Sequence, residues 1–271
     1  MWNAEELLDA TAGALRGLES RLSLEQAVYG MDAKDEVELH AEVAAGFLAA
    51  GFGVHREQPY PGEWRRKKGR RRELPEGPER LRCDLVLAAA DGAVEIADPL
   101  KAARGAEEAR AAAAGTLFEG RVGEEVSAPS TGIDPSAAYW LELKVVGQHS
   151  YRAGVPGPNR TYTSELLRGP TRDLTKLCND REIVNGGVMV LHFGADERIA
   201  SHDLARLMER CLDRELPIRS PSRRVVPIAD RIGNAVATVL LIELSNQGRE
   251  PSATDARVHR SRAGYPMSAR R

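Results

Sequence analysis

Residues 138–148 read AYWLELKVVGQ and set Glu142 and Lys144 two positions apart in an otherwise apolar run. On a strand, side chains at i and i+2 share a face. Burying a carboxylate and an ammonium there without partners costs roughly several kcal/mol. A structural salt bridge or a solvated edge strand would answer that cost, and so would a bound cation and phosphate. Upstream, RLRCDLVL carries Asp84 out of phase with Leu81, Cys83, Leu85 and Leu87. Hard oxygen donors from two neighbouring strands suit Mg2+ or Mn2+, with water completing the shell. Such an ion polarises a phosphodiester, and Lys144 could position or activate the attacking water or neutralise charge at phosphorus. Glu36 offers a third carboxylate. At about 100° per residue it falls within about 20° of Val43, close to the Leu39–Phe47 stripe, whereas Glu38 and Glu42 fall away and read as solvated. The competing reading of Glu36 is a first-turn acid favoured by the helix dipole.

The run WRRKKGRRR follows the first strand and has seven Lys/Arg in the eight positions 65–72. Clustered cations bind phosphate backbones by counterion release, and Trp64 could stack on an unpaired base. Trp64, Arg65, Arg66, Lys67, Lys68, Arg70, Arg71 and Arg72 are therefore candidate nucleic-acid contacts, against the alternative of a solvated basic loop. Arg168, Arg172 and Lys176 could add to them from a later helix, and the Arg-rich tail without specificity. His40 lies one turn after Glu36 and could support it. His149 could line the site, while His55 and His192 read as structural.

These residues need a frame. Leu8, Ala12, Leu15, Leu18 and Leu22 recur at helical steps over 4–29 and predict one or two short helices. A helix over 35–50 ends at the GFG of 51–53. Strands are expected at 53–60, on either side of an Asp91-Gly92 turn within 81–98, at 138–147 and at 186–194. Residues 99–137 are Ala-rich, then polar, and read as an insertion. A loop over 153–159 leads to a helix over 162–180 that Gly169-Pro170 could kink. Ser201 is the expected N-cap of the next helix, and 223–244 should give two more strands. The organisation is a helical extension over 1–34, one domain over 35–245 and a polar tail over 246–271 whose composition predicts disorder. The class is α/β, a mixed central sheet flanked by helices.

The succession DEVELHAEVAAGFLAAGF, VHREQPY, RCDLVL, YWLELKVV, TSELLRGPTRDLTKL and GGVMVLHF resembles the PD-(D/E)xK nuclease superfamily, the restriction-endonuclease-like fold, over residues 35–194. The resemblance implies an αβββαβ core, with the insertion and the C-terminal strands added to it. It matches Asp84 to the first aspartate, Glu142 and Lys144 to the (D/E)-x-K pair and Glu36 to the acid of the first helix. It further implies the Leu143 carbonyl as a metal ligand, Mg2+ (or Mn2+) as cofactor and DNA as substrate. Cys83 stands where many members have proline, and the long gap from Asp84 to Glu142 requires the insertion. Gln148 and Tyr151 lie one residue too close for a Q-x-x-x-Y helix, so that variant of the motif is not met. Glu95 is a rival acid, but Ala97 follows it where lysine is needed.

The bulk numbers fit and exclude. The formal net charge is −2, so a polyanion partner rests on local clustering alone. Three cysteines without C-x-x-C spacing give no disulfide framework or zinc ribbon and suit a reducing, cytoplasmic setting. MWNAEELLDATAGALRG has no basic stretch before an apolar core, so no leader is expected, and no run is long enough for a membrane span. No H-E-x-x-H, G-x-S-x-G, Walker or G-x-G-x-x-G pattern occurs. The leading expectation is a metal-dependent deoxyribonuclease, a homodimer being one possible state and RNA a further substrate to test. The alternatives are a non-catalytic nucleic-acid-binding or scaffold module of the same fold and an unrelated α/β protein.

Overall fold

The computed structural model describes residues 2–62, 80–89, 95–116, 132–152 and 154–245. Helix α1 (Ala4–Leu24) is one continuous helix rather than two, with Asn3 as N-cap. Its stripe of Leu7, Leu8, Ala12, Leu15 and Leu18 is buried in the main core together with Leu39, Val43 and Phe47 of α2 (Glu36–Ala49). Residues 1–34 thus supply core packing as well as an extension, and that packing carries the helix through Gly13 and Gly17. Helix α2 starts in a capping box: the Asp35 carboxylate accepts from Glu38 N and Glu38 accepts from Asp35 N. It ends at Gly51, whose φ of 89° lets Phe52 N reach the Phe47 carbonyl. Both ends being fixed, Glu36 is held in the first turn.

The remaining strands and α-helices are β1 (Gly53–Pro59), β2 (Arg82–Ala88), α3 (Pro99–Ala113), β3 (Tyr139–Gly147), β4 (His149–Arg152), β5 (Val155–Pro158), α4 (Tyr162–Asn179), β6 (Asn185–Gly194), α5 (Glu197–Asp213), β7 (Ser222–Pro227) and β8 (Val236–Glu243). Six strands form one mixed sheet in the order β1-β2-β3-β6-β8-β7. Only β3 and β6 pair in parallel, across the α4 crossover. Helices α1 and α2 cover one face, over Leu85, Leu141, Leu143, Met189 and Leu191. Helices α4 and α5 cover the other, over Trp140, Val146, Val188 and Val190. Strand β6 is buried on both faces, which explains its unbroken apolar run.

Four expectations change. The second strand of 81–98 reduces, among the described residues, to a single bridge between Ile96 and Ile133. The loop of 153–159 contains β5, which pairs with β4 as a separate hairpin. Pro170 is buried inside α4 and does not end it. Helix α5 begins at Glu197 with Asp196 as N-cap, and the Ser201 hydroxyl instead donates back to the Glu197 carbonyl. The tail over 246–271 and the Asp91-Gly92 turn lie outside the described residues. Among the described residues, no helix is long and apolar enough to cross a membrane.

Candidate active site

The candidate site is a fork between two neighbouring strands. β2 and β3 pair from Leu87–Tyr139 to Leu85–Leu141 and no further. Beyond that point the Asp84 carboxylate enters the gap and accepts from Leu143 N at 2.8 Å, in place of a ladder bond. On the other edge of β2, Glu57 has φ 53° and interrupts the β1 pairing opposite Asp84, with the register kept on both sides. The irregularity reverses the pleat: Cys83 packs with the α4 side, Leu85 and Leu87 with the α2 side.

Glu142 and Lys144 share the face towards α4, as alternation requires. The Lys144 ammonium donates to Glu36 Oε1 at 2.6 Å and to the Leu143 carbonyl at 2.9 Å. It also lies 3.5 Å from Asp173 Oδ2 and 4.0 Å from Asp84 Oδ2. Burial would depress this ammonium, but the Glu36 bond and the Asp173, Glu36 and Asp84 charges outweigh it and hold the pKa at about 12. Lys144 is thus a fixed cation at neutral pH and takes no proton there. Glu36 has a side chain 41% exposed. Partial burial raises its pKa, but His40 and Lys144 win and draw it down to about 2. His40 Nε2 is 3.6 Å from Glu36 Oε1. Glu36, His40 and Asp84 each offer a ligand atom within 4.8 Å of the others, a set that could close on one cation.

Glu142 lies deeper and is 2% exposed. It accepts a short hydrogen bond from the Tyr60 hydroxyl, and its Oε1 is 3.9 Å from Lys176 Nζ. Burial, then the facing Asp84, raise its pKa to about 8, against the Tyr60 bond. The expected Asp84–Glu142 pair is therefore close enough to repel, but Glu142 stands outside the convergent set, which takes His40 instead. The Leu143 carbonyl, expected as a ligand, here accepts from Lys144.

Two residues of this site were missed in the sequence. Asp173 of α4 is 0% exposed and ion-paired to Lys176 at 2.5 Å as well as to Lys144. Helical phase would have found it, since it falls within the buried stripe of Leu166, Pro170, Leu174 and Leu177. Tyr60, just past β1, had no such signal. His149 does not line the fork: it lies in β4, its ring against Gly233. His192 is buried and bonded to Tyr162, as a structural histidine should be.

Trp64, Arg65, Arg66, Lys67, Lys68, Arg70, Arg71 and Arg72 lie outside the described residues. The chain that enters and leaves their segment is anchored beside Glu142. Gly62 N donates to Asp180 Oδ2 at 2.8 Å, and Arg80 donates to the Tyr60 carbonyl and to Asp98 Oδ2, each at 2.7 Å. No family model, no curated protein and no solved structure matches this chain.

Proposed function

We propose that the protein is a metal-dependent nuclease of the PD-(D/E)xK type that hydrolyses phosphodiester bonds of DNA. The observation that carries this reading is the fork itself: four carboxyl groups, Glu36, Asp84, Glu142 and Asp173, crowd two ammoniums, Lys144 and Lys176. Such a surplus of carboxylates is relieved by a divalent cation. The element order agrees with the αβββαβ arrangement, since β1, β2, β3 and β6 are adjacent and the last pair is parallel across a helix.

Asp84 and Glu36 would hold the cation, with His40 as third donor and Glu142 able to join on losing its proton. Oxygen donors alone suit Mg2+ or Mn2+, and an imidazole in the set shifts the preference away from Mg2+ towards a transition metal. A bound divalent cation supplies Lewis-acid polarisation of the scissile phosphate and lowers the pKa of a neighbouring water. Lys144 neutralises charge that develops on the phosphoryl oxygens and orients the attacking water; as a fixed cation it is not the general base. Asp173 holds the ammonium in place from α4. The basic run at 65–72 would grip the backbone.

One observation favours a second reading, a non-catalytic nucleic-acid-binding module: Glu142 is capped by Tyr60 and Lys144 already has four oxygen neighbours. Incubation with supercoiled plasmid and with single-stranded DNA, in Mg2+, Mn2+ or EDTA, separates the two. Metal-dependent cleavage that Lys144→Ala abolishes supports the nuclease; salt-sensitive binding without cleavage in any metal supports the module.

A further inference from the structure

Helices α4 and α5 leave an open cleft of about 730 Å³ between them on the face that carries Lys144. Arg160, Arg168, Arg206 and Arg210 line it, with Glu209 and Asp213 as the acids. Arg206 is paired to Glu209. Among the described residues, no carboxylate lies within ion-pair distance of Arg160, Arg168 or Arg210. Four guanidiniums against two carboxylates leave the concavity net positive, and the three without an ion-pair partner repel one another until an anion joins them. Their planar forks fit phosphate oxygens two at a time.

The cleft also points somewhere. Arg168, Arg172 and Lys176 follow at steps of four along α4, so their side chains form one stripe. Its near end borders the cleft. At its far end Lys176 is 3.9 Å from Glu142. Gly169, next to Arg168, faces Lys144: a Cβ there would meet Lys144 Cδ at 3.5 Å, an ordinary contact distance. From Arg168 to Lys176 the helix rises about 12 Å at 1.5 Å per residue. That equals the axial rise of about three to four base-pair steps at 3.4 Å each.

We propose that the α4–α5 cleft is an anchoring site for the sugar–phosphate backbone of a nucleic-acid strand, holding it about three to four nucleotides from the fork. The placement relative to a scissile bond rests on the nuclease reading; the binding itself does not. Arg160, Arg168 and Arg210 bind phosphates directly, and Arg206 adds to the field while tied to Glu209.

The test is a salt titration of binding, by fluorescence anisotropy of a fluorescein-labelled DNA duplex and its single strand. EDTA is present throughout, so that binding is read without cleavage. The full chain is compared with Arg168→Gln/Arg210→Gln and with Arg16→Gln/Arg198→Gln, which removes the same charge from exposed positions elsewhere. Two lost phosphate contacts should reduce the slope of log K against log salt by about two. Affinity at low salt should fall at least about tenfold, and the control pair should behave as wild type. A cleft variant that keeps the wild-type slope and affinity overturns the proposal, as does a wild type that binds neither probe. Cleavage assays on the same proteins in Mn2+ separate the two readings. Cleavage by wild type together with unimpaired binding by the cleft variant removes the cleft alone. Weakened binding by the variant with no cleavage by wild type keeps the cleft and removes the nuclease.

Discussion

Two polar clusters sit on the same face of the sheet, one strand apart, and differ in kind. Lys144 of β3 pairs in register with Val190 of β6, and two residues along Val146 pairs with His192. At His192 the polar groups form a knot. The Tyr162 hydroxyl donates to Asp203 Oδ2 and meets His192 Nε2, each at 2.5 Å, which requires the Nε2–H tautomer of the imidazole. Gln148 adds a bond to the same carboxylate at 2.9 Å and accepts from Ala195 N. Burial pushes His192 down to about 4, so the ring is neutral, and one carboxylate collects the donors. At the fork, four carboxyl groups surround two ammoniums, and one of the four has its pKa raised to about 8 by burial and by a neighbouring acid. The knot is nearly balanced and ties α4 and α5 to β6. The fork is frustrated, and its frustration is of the sign a cation removes. A polar cluster that only stabilises has no physical need for surplus like charge.

The contrast breaks most readily by substitution at the two buried or half-buried aspartates. Asp173→Asn keeps the shape of the fork but removes the charge that steers Lys144, so single-turnover cleavage should fall by about 10- to 100-fold. Asp203→Asn, in the knot, should leave cleavage per folded molecule within about twofold while lowering stability. Equal loss at both sites would dissolve the distinction.

Stability should show the reverse ranking. Tyr162→Phe strips the donor from Asp203 and the acceptor from His192, and should cost about 1–3 kcal/mol in urea unfolding. Asp84→Asn in metal-free protein should cost less than this at pH 8, because it removes a charge facing Glu142. A larger loss for Asp84→Asn would mean that the fork holds the fold as the knot does.

The two clusters should also respond differently to pH, the knot on the acid side alone and the fork on both sides. Glu142 has its pKa raised in the folded protein, from 4.5 to about 8. Its contribution is fully present below the unfolded value and is lost as pH rises through about 8. His192 is depressed, from 6.5 to about 4, so its contribution is present above 6.5 and is lost as pH falls through about 4. Glu36, lowered from 4.5 to about 2, adds to the acid side. Melting temperature against pH, in EDTA, should therefore fall on both flanks. Glu142→Gln should flatten the alkaline flank only, and a variant that instead flattens the acid one contradicts the assignment.

The last expected effect is thermal. Mn2+ at about 100 times its dissociation constant should stabilise the folded protein by about 2.7 kcal/mol. The shift should disappear in Glu36→Gln/Asp84→Asn and persist in Tyr162→Phe.

The amino-acid sequence disclosed this site unevenly, and the reasons are physical. Alternation on β3 exposed Glu142 and Lys144, because a charge in a strand buried on both faces stands out. Phase on α2 exposed Glu36 for the same reason. The fork was hidden: it depends on where β2 and β3 stop pairing and on a positive φ at Glu57, and no local pattern in RCDLVL reports either. Asp84 was found by its letter, but Cys83 and Leu85, expected on one face, pack on opposite faces. Asp173 was passed over because a charge in TRDLTKL resembles ordinary helix surface, although its phase marks it as buried. Tyr60 meets Glu142 through tertiary contact alone. In the fold, the two strands at 223–244 followed from apolar runs. The β4–β5 hairpin and the start of α5 did not, since Gly/Pro punctuation and a competing serine pointed elsewhere.

The most direct test of the central claim sets Asp84→Asn beside Tyr162→Phe, at equal folded concentration, in single-turnover cleavage of plasmid DNA with Mn2+. The account predicts that Asp84→Asn loses at least about 10²-fold in rate while Tyr162→Phe cleaves as wild type. Cleavage at the wild-type rate by Asp84→Asn would contradict it, and the fork would then be a structural ion cluster.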